Sequence, residues 1–230
     1  ILANIWGISP KEIEKEFYRK SDVVAQLWSQ EFELDLKTQS CVCVDLDGVL
    51  CDYVGTWLKF IEYKKVDAAT DRSFYTIPDV SIGLKDVSQY SDLKFEFRET
   101  GWKASAIMID GAKELMEFLH KQGDVIVILT SRPVLQHRRI FPDTIKWLKD
   151  NQLHYDAIVF EQEKREWILR HLDNVKYCID DDPSVAVKIA NAGIKVYMPA
   201  ISYNEKTEGE NIIRVNSLAE IIEYELKAGV

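Results

Sequence analysis

Cys41-Val42-Cys43-Val44 is an apolar run of strand length, and it exits directly into Asp45-Leu46-Asp47-Gly48. A buried strand that serves packing alone has no reason to end on two carboxylates one residue apart. Like charges this close repel, and each needs a cation or a proton to be tolerated. A divalent metal ion supplies that compensation, and an oxygen-only pair suits Mg²⁺ better than zinc. One acid can then attack a phosphorus atom while its neighbour handles the proton.

From residue 40 onward strand-like and helix-like segments alternate, the pattern of a parallel sheet covered on both faces. The predicted strands are 41–45, 125–130, 157–160, 176–179 and 195–198, with a short edge strand at 212–215. Helices are predicted at about 111–122, 138–151, 162–172, 183–192 and 217–227. Residues 53–106 interrupt the alternation. After a helical stretch at 56–64 come Pro78, Gly83 and Gly101 and the aromatics Phe74, Tyr75, Tyr90, Phe95, Phe97 and Trp102. The segment leaves the core beside the two acids and is placed to cover them. The expected organisation is an N-terminal helical segment (1–39), a catalytic core (40–52 and 107–230) and an inserted cap (53–106). Ser9-Pro10-Lys11-Glu12 reads as a helix start, and the helix it opens is expected to serve packing or an oligomer contact.

Composition narrows the classes of partner. The 230 residues carry 29 basic and 38 acidic side chains, a net charge of −9, and 47% are hydrophobic. That balance supports a real core and disfavours broad electrostatic binding to nucleic acid or anionic membrane. No apolar stretch approaches the roughly 20 residues of a membrane span. The first residues, Ile1-Leu2-Ala3-Asn4, lack both an initiator Met and a secretion-signal pattern, so a trimmed or internal start and a cytoplasmic location are expected. Cys41, Cys43, Cys51 and Cys178 form no CxxC pair and read as small core thiols.

Three further segments sit at exits of predicted strands, where open α/β sheets hold their ligands. Thr130-Ser131-Arg132 offers hydroxyls and a bidentate cation for phosphate oxygens. Lys164 follows the third strand within a charged run. Asp180-Asp181-Asp182-Pro183 leaves the fourth, three acids that are costly without a cation, with Pro183 starting a helix. If strand one lies between the second and the fourth, these clusters converge on one crevice with the inventory for phosphoryl transfer.

This order resembles the haloacid dehalogenase superfamily over about residues 40–200, whose four motifs appear as Asp45-Leu46-Asp47-Gly48, Thr130, Lys164 and Asp180-Asp181. The resemblance implies a Rossmann-like sheet of order 3-2-1-4-5, helices on both faces and a cap inserted after the first strand. It implies Asp45 as the nucleophile that becomes an aspartyl phosphate, and Asp47 as the acid that protonates the leaving oxygen and then activates water. Thr130 and Lys164 would bind the phosphoryl group. Mg²⁺ would be held by Asp45, Asp180 and the backbone carbonyl of Asp47, with Asp181 supporting that shell. The second acid, Asp47, points to a phosphatase, since an alkoxide leaving group needs a proton.

Two branches of the superfamily are similar in detail. Thr130-Ser131-Arg132 and Asp180-Asp181 look like the 3′-phosphatase domain of polynucleotide kinase–phosphatases, and Ser131 and Arg132 would then contact substrate. Asp47-Gly48-Val49-Leu50 and Ile179-Asp180-Asp181 match the 5′(3′)-deoxyribonucleotidases. The substrate implied is a nucleotide or a nucleic-acid 3′ end; other phosphorylated metabolites, or a catalytically silent phosphate-binding module, are the alternatives. In the cap, Lys85, Lys94, Arg98 and Lys103 offer cations and the aromatics a stacking surface. Arg98 is the expected cap residue to reach substrate. The four histidines show no paired spacing or acid partner that would argue for catalysis or zinc.

Overall fold

The computed structural model describes residues 39–66 and 87–228. The expected N-terminal helix lies outside them, as do Phe74, Tyr75, Pro78, Gly83 and Lys85. Six strands form one parallel sheet: β1 (Cys41–Val44), β4 (Val125–Thr130), β5 (Ala157–Phe160), β6 (Val175–Ile179), β7 (Val196–Pro199) and β8 (Ile212–Val215). Their spatial order is β5-β4-β1-β6-β7-β8, with every pairing parallel. The five predicted core strands therefore run 3-2-1-4-5, and the sixth joins at the edge. β1 lies at the centre because both neighbours pair with it in register: Val44 stands opposite Ile128 on one side and Ile179 on the other. The residues leaving β1, β4 and β6 are thereby brought side by side.

Alternation along each strand separates two cores. Val42, Val44, Ile126 and Ile128 face one layer, built from α3 (Ala112–Gln122), α4 (Ile140–Asp150) and α7 (Leu218–Ala228). Cys41, Cys43, Val125, Val127 and Leu129 face the other, against Trp167 and Ile168 of α5 (Lys164–His171) and Ala186 and Ile189 of α6 (Pro183–Ala190). Cys41, Cys43, Cys51 and Cys178 are all buried, as core thiols should be.

After β1 the chain makes a short antiparallel pair, β2 (Cys51–Asp52) with β3 (Ile107–Met108), and the described residues between them build an apolar cluster of their own. Sequence periodicity missed this pair, because two residues are too few to show alternation. α1 (Tyr53–Tyr63) is capped by Asp52, whose Oδ1 accepts from Gly55 N at 2.8 Å. α2 (Tyr90–Glu99) packs on α1 through a third cluster of Trp57, Phe60, Ile61, Tyr90, Leu93 and Phe97. Tyr90 and Trp102 are thus spent on this layer's own packing, Trp102 lying 5.5 Å from Phe60 between ring centroids. Thr56 Oγ1 accepts from Ile107 N, and Trp147 Nε1 donates to Ala106 O at 2.7 Å, fixing where the chain returns to the core.

Candidate active site

The site is assembled from the carboxyl ends of β1, β4 and β6 and the first turn of α5. Asp45 continues β1 by one residue, its N–H donating to Ile179 O at 2.9 Å. Asp180 continues β6, and Lys164 opens α5 with only 3% of its surface exposed. The Lys164 ammonium lies 2.8 Å from Asp45 Oδ1 and 2.8 Å from Asp180 Oδ2. Asp180 Oδ1 accepts from Asp182 N, while Asp182 caps α6 through the Ser184 and Val185 amides. Asp181 is fully buried. One of its oxygens accepts from the Tyr203 hydroxyl, and the other has no hydrogen-bond partner.

Asp45, Asp180 and Asp181 each direct one carboxylate oxygen into a group whose members lie within 4.8 Å of one another. One lysine does not balance three buried carboxylates. Burial pushes Asp45 up to about 7 against the pull of Lys164, and burial with the neighbouring acids raises Asp180 and Asp181 as well. The orphaned oxygen of Asp181, the surplus of negative charge and the all-oxygen donor set fit a hard divalent cation. Gly48 completes the wall. Its φ is +91°, and a Cβ there would stand 2.1 Å from Asp181 Oδ2, so neither the turn nor the approach of Asp181 admits a side chain.

Asp47 sits apart from that group. Its Oδ1 accepts from Arg132 Nη2 at 2.6 Å, and its Oδ2 accepts from Arg132 Nε at 3.0 Å and Lys103 Nζ at 2.7 Å. Burial alone would raise its pKa, but Arg132 and Lys103 outweigh burial and hold the carboxyl well below its usual range. The expected metal contribution of Asp47 is its backbone carbonyl, and its side chain is engaged by Arg132 and Lys103. Arg132 is itself committed to Asp47 and to Thr144 Oγ1. Cys51 Sγ lies 3.1 Å from Asp47 Oδ1 and 3.2 Å from Arg132 Nη2. Burial and the facing Asp47 keep its thiol pKa well above the usual value.

A cavity of about 420 Å³ opens between these groups and α2; Asp45, Asp47, Thr130, Ser131, Arg132, Lys164 and Arg98 all line it. Sequence reasoning therefore named seven residues that share one cavity wall. Thr130 is buried and its Oγ1 accepts from Arg132 N, while Ser131 Oγ donates to Glu161 O at 3.2 Å. Arg98 Nη1 meets His137 Nε2 at 3.2 Å, and His137 Nδ1 meets Glu99 Oε1 at 3.2 Å. A guanidinium only donates, so Nε2 accepts and the imidazole is neutral with its proton on Nδ1. Two of the histidines meet acids in the fold: His137 pairs with Glu99, and His154 lies 3.4 Å from Asp156. Glu99 comes from a distant helix, so no spacing in the sequence reveals it.

Tyr203 was not foreseen. Its position just past the exit of β7 is the signal that would have found it, since the other site residues also follow strand exits. Asn204, next to it, donates to the backbone oxygens of Asp181 and Pro199 and fixes that turn.

The fold is shared with solved haloacid dehalogenase-type hydrolases. The haloacid dehalogenase-like hydrolase SP0104 of Streptococcus pneumoniae superposes with a TM-score of 0.57 at 15% identity, covering 81% of this chain and 98% of that one. A candidate hydrolase of the same superfamily, YfnB of Bacillus subtilis, described as bound to magnesium, gives 0.53 at 15% identity over 82% and 99%. More narrowly, residues 39–229 match the family model described as 5′ nucleotidase, deoxy (pyrimidine), cytosolic type C protein, and the chain belongs to that family. A candidate nucleotidase, YqfW of Bacillus subtilis, is 28% identical over 169 residues, 67% of this chain and 82% of its own. The protein is a phosphatase of the nucleotidase type.

Proposed function

We propose that the protein is a Mg²⁺-dependent phosphomonoesterase acting on nucleotides through a phosphoryl group carried on Asp45. The observation that supports this most is the buried trio of Asp45, Asp180 and Asp181 with Lys164 between two of them and an unpaired Asp181 oxygen beside it. Mg²⁺ held by Asp45, Asp180 and Asp181, with the Asp47 carbonyl, would offset the charge of the phosphoryl oxygens. Lys164 orients Asp45 so that a carboxylate oxygen faces the cavity and, with Thr130, cradles the phosphoryl oxygens. Asp45 attacks phosphorus, and the bond to the nucleoside oxygen breaks as that oxygen takes a proton from Asp47. Asp47 then draws a proton from water, which cleaves the aspartyl phosphate and returns free phosphate and the Asp45 carboxylate. In the resting protein Arg132 and Lys103 keep Asp47 ionised. Phosphoryl oxygens entering the cavity compete for both cations, and Asp47, released from them, takes a proton from water or from a monoprotonated substrate phosphate before passing it to the leaving oxygen.

The layer of α1 and α2 between β2 and β3 is proposed to act as the cap, covering the cavity with Lys94, Arg98 and Lys103. Family membership favours a deoxynucleoside monophosphate over a polynucleotide end. The test is phosphate release from 5′- and 3′-mononucleotides, end-phosphorylated oligonucleotides and sugar phosphates, with Mg²⁺ and with EDTA. Mononucleotides should be hydrolysed only with metal, and Asp45→Asn should lose at least about 10³-fold in rate with its melting curve intact. Release by Asp45→Asn at the wild-type rate would remove Asp45 as nucleophile, and preference for a 3′-phosphorylated oligonucleotide would select the end-processing reading.

A further inference from the structure

The cations lining the cavity divide into two groups. Lys164 is matched by Asp45 and Asp180, and Lys103 and Arg132 by Asp47. Lys94 and Arg98 are not matched by any acid among the described residues. They stand one helical turn apart on α2 and line the same cavity. Among the described residues no carboxylate pairs with Lys94. Its ammonium instead rests over aromatic faces, 4.3 Å from the Tyr53 ring centre, 5.0 Å from Trp57 and 5.6 Å from Tyr90. Arg98 donates to the neutral Nε2 of His137, and no described carboxylate forms an ion pair with it.

Two cations held close together without an acid are expensive. Aromatic faces return less to a cation than stripping its water costs. Burial, then the neighbouring Lys103 and Arg98, push Lys94 well below its ordinary pKa, and burial lowers Arg98 too. The phosphoryl group at Asp45 already has Lys164 and Thr130, and the charge to be matched at α2 is separate from it. We propose that Lys94 and Arg98 form a second anion subsite, which takes a second phosphate of the same small substrate. The class this fits is a nucleoside bisphosphate, with one phosphate at Asp45 and the other against α2. The cavity, at about 420 Å³, lies in the range of pockets that enclose one small molecule. The inference rests on the phosphatase reading for which phosphate is cleaved, but not for where the second one binds.

Steady-state kinetics on thymidine 3′,5′-bisphosphate, thymidine 5′- and 3′-monophosphate and a 3′-phosphorylated oligonucleotide test it, with wild type, Lys94→Met and Lys94→Arg. The bisphosphate should exceed the better monophosphate at least tenfold in kcat/KM. That ratio should fall to within about twofold in Lys94→Met and return in Lys94→Arg. A wild-type ratio near one, or a ratio unchanged by Lys94→Met, overturns the subsite. An oligonucleotide outpacing the bisphosphate overturns its assignment to a small molecule. If no ester is hydrolysed, the phosphatase reading fails and calorimetry decides the subsite by itself. Tighter binding of bisphosphate than of either monophosphate to Asp45→Asn then upholds it, and equal binding removes it.

Discussion

Gly48 and Tyr203 approach Asp181 from two directions, and between them they determine which of its oxygens remains open. Because a methyl group on Gly48 would meet Asp181 Oδ2 at 2.1 Å and φ is +91°, Gly48→Ala must distort the turn or displace the carboxylate. The left-handed backbone alone costs roughly 1–2 kcal/mol for an alanine. Urea denaturation of Gly48→Ala should show at least that loss, together with a weakened stabilisation by Mg²⁺. Tyr203→Phe makes a gentler change, removing only the hydroxyl that donates to Asp181. It should weaken Mg²⁺ binding by roughly 10–100-fold, the usual range for an outer partner of a metal ligand. Calorimetric titration of metal into the variant, alongside a thermal melt in EDTA that stays near wild type, checks this. Tyr203 has no local signal as strong as Asp45-Leu46-Asp47-Gly48, because it acts on an acid 22 positions away.

At the scale of elements, α2 meets the loop after β4 through Arg98, His137 and Glu99, with the Phe95 ring tilted at 57° against the imidazole, 5.3 Å between centres. Burial, then the Arg98 charge, hold His137 below its ordinary 6.5 against the opposing Glu99. The folded protein therefore keeps this histidine neutral where the unfolded chain protonates it. Its contribution to stability is fully present above about pH 6.5 and is lost as pH falls from there through the lower folded value. Urea midpoints at pH 7.5 and 5.5 should drop further for wild type than for His137→Gln, and equal drops would exclude His137 as the source. The elements themselves were largely legible. Strands expected at 125–130, 157–160 and 212–215 are found there, and the helices agree to within two or three residues at each end. Long apolar runs and capping residues such as Asp182-Pro183 carry that information locally. The β2–β3 pair and helix α2 were not separated out, since a two-residue strand has no period and α2 buries only a narrow face, Tyr90, Leu93 and Phe97.

For the whole molecule, the central question is charge. Asp45, Asp180 and Asp181 are buried with Lys164 as the cation between two of them. Lys164→Met leaves Asp45 and Asp180 buried without it, and breaking a buried pair in this way costs about 3–5 kcal/mol. Chemical denaturation in EDTA should show that loss, and Mg²⁺ should restore part of it, because an ion bound only by the folded state adds about 2.7 kcal/mol at one hundred times its dissociation constant. Denaturation of Lys164→Met at wild-type concentrations in EDTA would show that the lysine is not compensating these acids.

The sequence by itself determined the sheet, its helical cover and the identity of the strand-exit acids, hydroxyls and lysine. Apolar periodicity and the cost of unpaired carboxylates at strand ends are local properties, readable without coordinates. Tertiary structure alone decided how those charges are shared. It put the Asp47 side chain on Arg132 and Lys103 instead of with the metal-type trio, gave His137 a partner in Glu99, and set Lys94 and Arg98 on the cavity with no acid among the described residues paired to them. Each of these pairings joins residues 38 or more positions apart, or depends on one being absent. Coulomb energy and desolvation are set by distance in space, and spacing along the chain carries no record of that distance.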